Sequence, residues 1–211
     1  MRPVIFSRAL VAGATGAICA SQTTAGAGPL LINGTLASGG VATLDVQRTI
    51  AITSGGNDAA VIFTVKGTDQ QGRPIGETIT GVSTNTVSSV LNYLTVTSIT
   101  ASAAVVNAVT VDTVGTGASQ EVVLDLYLTP LNAAITCTLV SGAANVTMQY
   151  TTDNIFDGTN GPYGWTTVTG LSGISATTYG SITTPATALR LLTNSGTGTF
   201  RVAVAQAGIF G

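Results

Sequence analysis

The chain has 211 residues, 45% of them apolar and only 8% charged, with a formal net charge of −2 and no histidine. Soluble proteins carry about 25% charged residues, so either a Thr/Ser/Asn surface or burial in an assembly must replace charge in keeping copies apart. The seven basic residues are scattered, which argues against direct nucleic-acid contact; the lack of histidine excludes Ser-His-Asp and Cys-His catalysis and histidine-held zinc.

Residues 1–25 have the outline of a secretory signal: a basic start, an apolar stretch and small residues at Ile18-Cys19-Ala20. Arg8 interrupts the apolar run, and the stretch from Val11 to Ala17 is mostly Ala and Gly. The segment is therefore expected to be an extended N-terminal arm lying on a neighbouring chain. Arg2 and Arg8 precede any acid before Asp45, a mild basic bias. No strongly apolar run reaches the roughly 18 residues of a membrane-spanning helix, so no membrane is expected as a partner.

Helix periodicity with caps is nearly absent. Short alternating runs of Val, Ile and Thr between Gly, Asn, Asp and Ser predict strands. In a first block, 26–117, candidate strands are Val41–Val46 and Thr49–Thr53, followed by a turn at Ser54–Asp58. In Ala60–Lys66, Val61, Phe63 and Val65 share a face. Gly67–Arg73 reads as a polar loop, and Pro74–Gly81 returns with Ile75, Glu77 and Ile79 on one side. Thr86–Ala101 is expected to hold a short helical turn before a strand, and Val109 and Val111 close the block. Gly115–Ser119 reads as a linker.

The second block, 118–211, opens with a strand from Val122 to Thr129 that Pro130 ends. Ile135, Cys137 and Leu139, then Val146, Met148 and Tyr150, read as a hairpin about Ser141–Ala144. Thr152–Gly164 is a polar loop. Trp165, Val168 and Leu171 supply core bulk, Leu189 and Leu191 face one way across Arg190, Asn194–Gly198 turns the chain, and Phe200, Val202 and Val204 close it. The fold class expected is all-β: two β-sandwich or jelly-roll-like domains preceded by the arm. No repeat of solenoid length is visible.

Candidate sites are few. Cys19 and Cys137 are far apart in sequence and are expected to be reduced and buried. No phosphate-binding glycine loop occurs. The loop Asp153–Gly161 offers carboxylate and amide oxygens, so Asp153 and Asp157 are the weak candidates for calcium; its Asx side chains serve equally to satisfy the loop's own backbone. The same two acids are the nearest approach to a glycosidase pair. Tyr163 and Trp165 suggest either a sugar-stacking platform or packing beside the loop. Arg190 suits an interface ion pair or a solvated face. No catalytic residue, metal or cofactor is expected.

One pattern stands out in the second block: Val123-Leu124-Asp125, then Val146–Asp153, Trp165, Pro185–Leu191 and Val202–Gly208. It resembles a β domain of virion proteins of tailed bacteriophages, with Met148-Gln149 a conservative departure from the usual form. Gly67-Thr68-Asp69 and Gly72 before Glu77-Thr78 resemble its usual companion domain, so the likeness spans most of 45–208 and leaves out the arm. It implies a non-enzymatic virion component, assembled in host cytoplasm, that decorates the capsid or forms a neck or tail ring. Its expected partners are copies of itself and other virion proteins of capsid, portal, neck or tail. The alternative is a secreted or surface-exposed adhesive, carbohydrate-binding β protein with a signal peptide and a mature start near Ala20 or Ser21. A glycan-degrading enzyme acting through Asp153 or Asp157 is a third class.

Overall fold

The computed structural model describes residues 4–9, 12–156 and 163–210, and among these there is no helix. The strands in chain order begin with β1 (Val4–Ala9), β2 (Ala14–Thr24), β3 (Gly28–Pro29), β4 (Ala37–Ser38) and β5 (Val41–Ser54). They continue with β6 (Ile62–Thr68), β7 (Pro74–Thr80), β8 (Thr86–Ser88), β9 (Tyr93–Ala101) and β10 (Val105–Ala118). The last are β11 (Val122–Val123), β12 (Leu128–Ser141), β13 (Ala144–Thr151), β14 (Thr166–Thr167), β15 (Thr178–Ile182), β16 (Ala188–Gly196) and β17 (Thr199–Phe210). The protein is all-β, consistent with the sandwich class. Two compact units divide it: Gly13–Gly117, and Ala118 onward together with β1.

In the Gly13–Gly117 unit the strands lie in the order β2-β10-β5-β9-β6-β7, with β4 and β8 also on β5 and β3 on β9. Phe63 and Val65 alternate with Thr64 and Lys66 on β6, so one face is apolar and enters a core with Ile50, Ile52, Tyr93, Val96, Ile99 and Val111. The two strands expected within 41–53 are one strand. A bulge between Thr43 and Arg48 resets its alternation. Gln47 and Arg48 are buried there side by side. The Arg48 guanidinium meets both Asp45 oxygens at 2.7 Å and donates to the Val114 carbonyl at 2.9 Å, so its burial is compensated.

Other expectations change in this unit. The helical turn before β9 is absent: Ser89 and Leu91 instead form a loop closed by Glu77, whose carboxylate accepts the Val90 and Leu91 N–H groups at 2.9 and 3.1 Å. Gly67 and Thr68 extend β6 into the expected polar loop. The loop left over is organised by Asp69, which accepts from the Gln71 and Arg73 N–H groups and pairs with the Arg73 guanidinium. Gly115–Ala118, expected as linker, is the end of β10. Small residues there permit close packing: a Cβ on Gly117 would meet the Gln47 carbonyl at 2.9 Å.

The described parts of the expected N-terminal arm pair within the chain. β1 runs antiparallel to β17 from Val4↔Val204 to Ala9↔Thr199. β2 pairs with β10, and Ala17, Ile18 and Cys19 are buried in its middle. Asp112 fixes this pairing: its carboxylate accepts from the Gly16 N–H at 2.6 Å and the Thr53 hydroxyl at 2.7 Å. Gly16 has φ 64°, a left-handed conformation natural to glycine, which lets β2 bend around that contact.

The other unit has one sheet ordered β1-β17-β12-β15 and a second containing β14-β13-β16 with β11 on β16. Ile135, Cys137, Phe200, Val202 and Val204 from the first sheet, and Val146, Met148, Leu189 and Leu191 from the second, are buried. The expected hairpin about Ser141–Ala144 is not one. β12 pairs with β15 and β17, whereas β13 pairs with β14 and β16. The turn passes the chain between sheets, and the Ala143 carbonyl is satisfied by the Thr197 and Gly198 N–H groups at 3.0 Å each. Pro130 does not end a strand either. It lies in the register shift between Thr129 and Asn132 of β12, where a bulge needs no N–H from it. The chain from Val122 to Thr129 is a two-residue strand, then a turn at Asp125–Tyr127.

Both cysteines are free and buried, Cys19 in β2 and Cys137 in β12. Burial, with the Asp112 charge adding, pushes the Cys19 thiol from 9.0 up to about 12; burial alone pushes Cys137 up to about 11. A raised thiol pKa means that the unfolded chain loses these protons first. Their stabilising contribution is complete below about pH 9 and disappears as pH rises through 11 to 12. Urea midpoints are accordingly expected to stay flat with respect to these thiols up to pH 9 and to fall above it, and iodoacetamide at pH 8 to label them only after denaturation. Rapid labelling of the native chain would contradict the burial of both thiols.

Candidate interaction surfaces

The face of the β1-β17-β12-β15 sheet that points away from the core is built by strict alternation. Phe200, Val202 and Val204 turn inward on β17, which leaves Arg201, Ala203 and Ala205 outward; on β12 the inward Ala133, Ile135 and Cys137 leave Ala134, Thr136 and Thr138 outward. Register aligns these residues in rows. One row runs Ile5, Ala203, Thr136, Tyr179 across the four strands. The next rows are Ser7, Arg201, Thr138 on one side and Ala205, Ala134, Ser181 on the other. Small side chains thus floor the two central strands. Ile5, 59% exposed, and Tyr179, 73% exposed, stand on the two edge strands.

Arg201 is the one charged side chain among these outward positions. It makes no ion pair among the described residues, where the salt bridges are Arg48–Asp45 and Arg73–Asp69. Leu126 and Tyr127 project from the turn between β11 and β12, Tyr127 at 81% exposure. The turn is rigidly held: the Asp125 carboxylate accepts the Tyr127 N–H at 2.9 Å, and the Gln206 amide bonds both the N–H and the carbonyl of Asp125.

The outward face of the second sheet is different. Gln149 lies opposite Arg190 and Thr167. The Arg190 guanidinium stacks on Trp165, 4.1 Å from the ring centroid, and its Nε donates to the Gln149 side chain at 2.9 Å. Burial lowers the Arg190 pKa to about 10, opposed by Glu121, so it remains a cation at neutral pH. The indole expected as core bulk or sugar platform is half-exposed and has one face covered by this cation. Val168 and Leu171 are buried as expected.

Asp153 sits at the stem of its loop, accepting the Gly164 N–H at 2.6 Å, the backbone-satisfying role open to an Asx side chain. Asp157 lies outside the described residues. No group of three or more His, Cys, Asp or Glu side chains is placed to hold a metal among the described residues.

On the Gly13–Gly117 unit, the outward face of β6, β7 and β9 carries Thr64 opposite Thr78 and Thr100, and Lys66 opposite Gly76 and Ser98. A shallow open depression of about 730 Å³ is lined by Thr64, Lys66, Gly76, Glu77 and Thr97. Ile62 is 45% exposed on the same hairpin, and Val90 is 76% exposed on the loop that Glu77 closes.

Sequence reasoning missed both surface features of the second unit described above. The Leu126-Tyr127 turn was hidden inside an alternating run that reads as a strand. The outward Ala/Thr rows carry no bulk to mark them beside their apolar partners; their signal in the sequence is the Asn132, Ala134, Thr136, Thr138 alternation. The chain matches no family model, and no curated protein matches its sequence.

Proposed function

We propose that this chain is a structural component of a tailed-phage virion, a capsid decoration or a neck or tail ring protein, that acts through multimeric contacts and performs no catalysis. The carrying observation is the outward face of the β1-β17-β12-β15 sheet: a floor of Ala and Thr, apolar rims and one guanidinium. A lone surface of this kind has little charge to hold it in water, and an exposed apolar patch marks a contact site. Repetition by symmetry turns a modest patch into a stable ring or shell. The resemblance to phage virion β domains supplies the setting. The partners are copies of the chain and neighbouring capsid, portal, neck or tail proteins, assembled in host cytoplasm.

Quantitative mass spectrometry of gradient-purified particles tests the reading. The chain is expected in many copies per particle, at a fixed ratio to the major capsid protein. Its presence only in the soluble lysate, with none in particles, would refute a virion role.

A further inference from the structure

The two unsatisfied features of the second unit complement each other in shape and charge. The trough floor spans β17 and β12, and its rims stand on β1 and β15. Three strand spacings separate the rims, roughly 14 Å, a width that accommodates the two side chains of a tight turn. Leu126 and Tyr127 form such a turn and expose large apolar surfaces, 55% and 81% respectively. Asp125, beside them, is half-buried and carries a carboxylate; Arg201, on the trough, carries the guanidinium. A largely apolar knob with one anion thus matches a small-residue face of Ala, Thr and Ser, flanked by Ile5 and Tyr179, with one cation. A partner with a strongly charged surface would leave most of its charge unmatched on such a face.

We infer that the Asp125-Leu126-Tyr127 turn of one copy seats in the Ala203/Thr136 trough of the next copy, with Asp125 against Arg201. This contact is heterologous: each copy offers one knob and one trough, so it propagates head to tail into a ring when the rotation closes and a filament when it does not. The inference rests on the structural reading above and specifies the partner as a second copy of this chain.

Heterologous contact makes a prediction that a two-fold contact does not. Tyr127→Ser removes the knob and leaves the trough; Ala203→Arg fills the trough and leaves the knob. Both positions face outward, so both variants are expected to keep the wild-type circular dichroism and melting curve. In sedimentation velocity, at concentrations where the wild type assembles, each variant alone should remain monomeric. An equal mixture should form a heterodimer and nothing larger, because it holds only one competent knob–trough pair. The charge pair adds a second readout: Arg201→Asp should weaken wild-type assembly, and so should Asp125→Asn, whose amide oxygen can still accept the Tyr127 N–H that holds the turn. Assembly of both single variants like the wild type, or a mixture that stays monomeric, would overturn the inference. A wild type that is monomeric alone yet abundant in particles would also overturn it, assigning the trough to a different virion protein while leaving the structural role standing. Absence from particles would instead remove the structural role itself.

Discussion

A chain lacking residues 1–20 is expected to lose cooperative folding of the Gly13–Gly117 unit, and with it most soluble yield. The truncation removes most of β2, including the fully buried Ile18 and Cys19 and nearly buried Ala17. It also strips β10 of pairing at Val111↔Cys19 and Thr113↔Ala14 and leaves Asp112, 8% exposed, without its Gly16 donor. Burying an isoleucine contributes about 1.5–3 kcal/mol, and the loss of one of the two donors to the Asp112 carboxylate, which keeps Thr53, costs about 1–3 kcal/mol. Lost β2 backbone bonds add about 1 kcal/mol each. Against a typical domain stability of about 5–15 kcal/mol, the sum is decisive. In the other unit, the loss of β1 uncovers Phe6 contacts and the whole β17 edge, an invitation to edge-to-edge aggregation. Thermal melts followed by circular dichroism check this: the intact chain should melt cooperatively and the truncated one should show no comparable transition. An unchanged melting temperature would mean that the segment is dispensable, as a free arm would be.

Gly67→Ala is expected to be the most damaging single methyl addition. A Cβ there would run into the Thr95 carbonyl oxygen and crowd the Tyr93 ring. Gly67 stands at the register shift in the β6–β9 ladder. The obstacle is backbone in a central strand, which cannot rotate away. Overpacking of this kind costs about 1–3 kcal/mol and at times more. Gly28→Ala is the matched control: Gly28 is also in a strand on β9, yet nothing lies within 4 Å of its would-be Cβ. Urea titration should show a large drop in midpoint for Gly67→Ala and almost none for Gly28→Ala. Equal effects would show that glycine content matters at these sites only through chain entropy.

Local alternation was the legible part of this sequence. Phe63 and Val65, Ile75 and Ile79, and Leu189 and Leu191 each read as sharing one face of a strand, and Phe200, Val202 and Val204 as the closing strand; the structure buries all of them. These assignments depend only on the period of two along a strand. Pairing was not legible, because period and pairing are independent. Ile135–Leu139 and Val146–Tyr150 flank a short small-residue turn, the pattern of a hairpin, yet they enter different sheets. A turn that passes between sheets and one that reverses within a sheet draw on the same residues, here Gly142 at φ 72°.

Bulges were equally silent. Arg48 and Pro130 both look like interruptions in a strand, a charge and a missing donor. Each is absorbed where the register of the ladder shifts. The fate of the N-terminal segment was hidden for another reason. Its Ala/Gly content looks too weakly apolar for a core, but a short strand needs only Ala17, Ile18 and Cys19 to be covered, and β10 and Leu30 lie within reach of them. The candidate contact surface was half legible. Low charge pointed to burial in an assembly; which face would be buried required the register of four strands whose residues are up to about 200 positions apart in sequence.

Sedimentation velocity of the full-length wild type over a wide concentration range, at low salt and again at about 1 M, where ionic attraction is screened to about 3 Å, tests the central claim most directly. Association through sparsely charged β surfaces should appear as reversible or stable multimers whose formation rises with concentration and survives high salt. A single monomeric boundary at every concentration and salt would contradict assembly through copies of this chain.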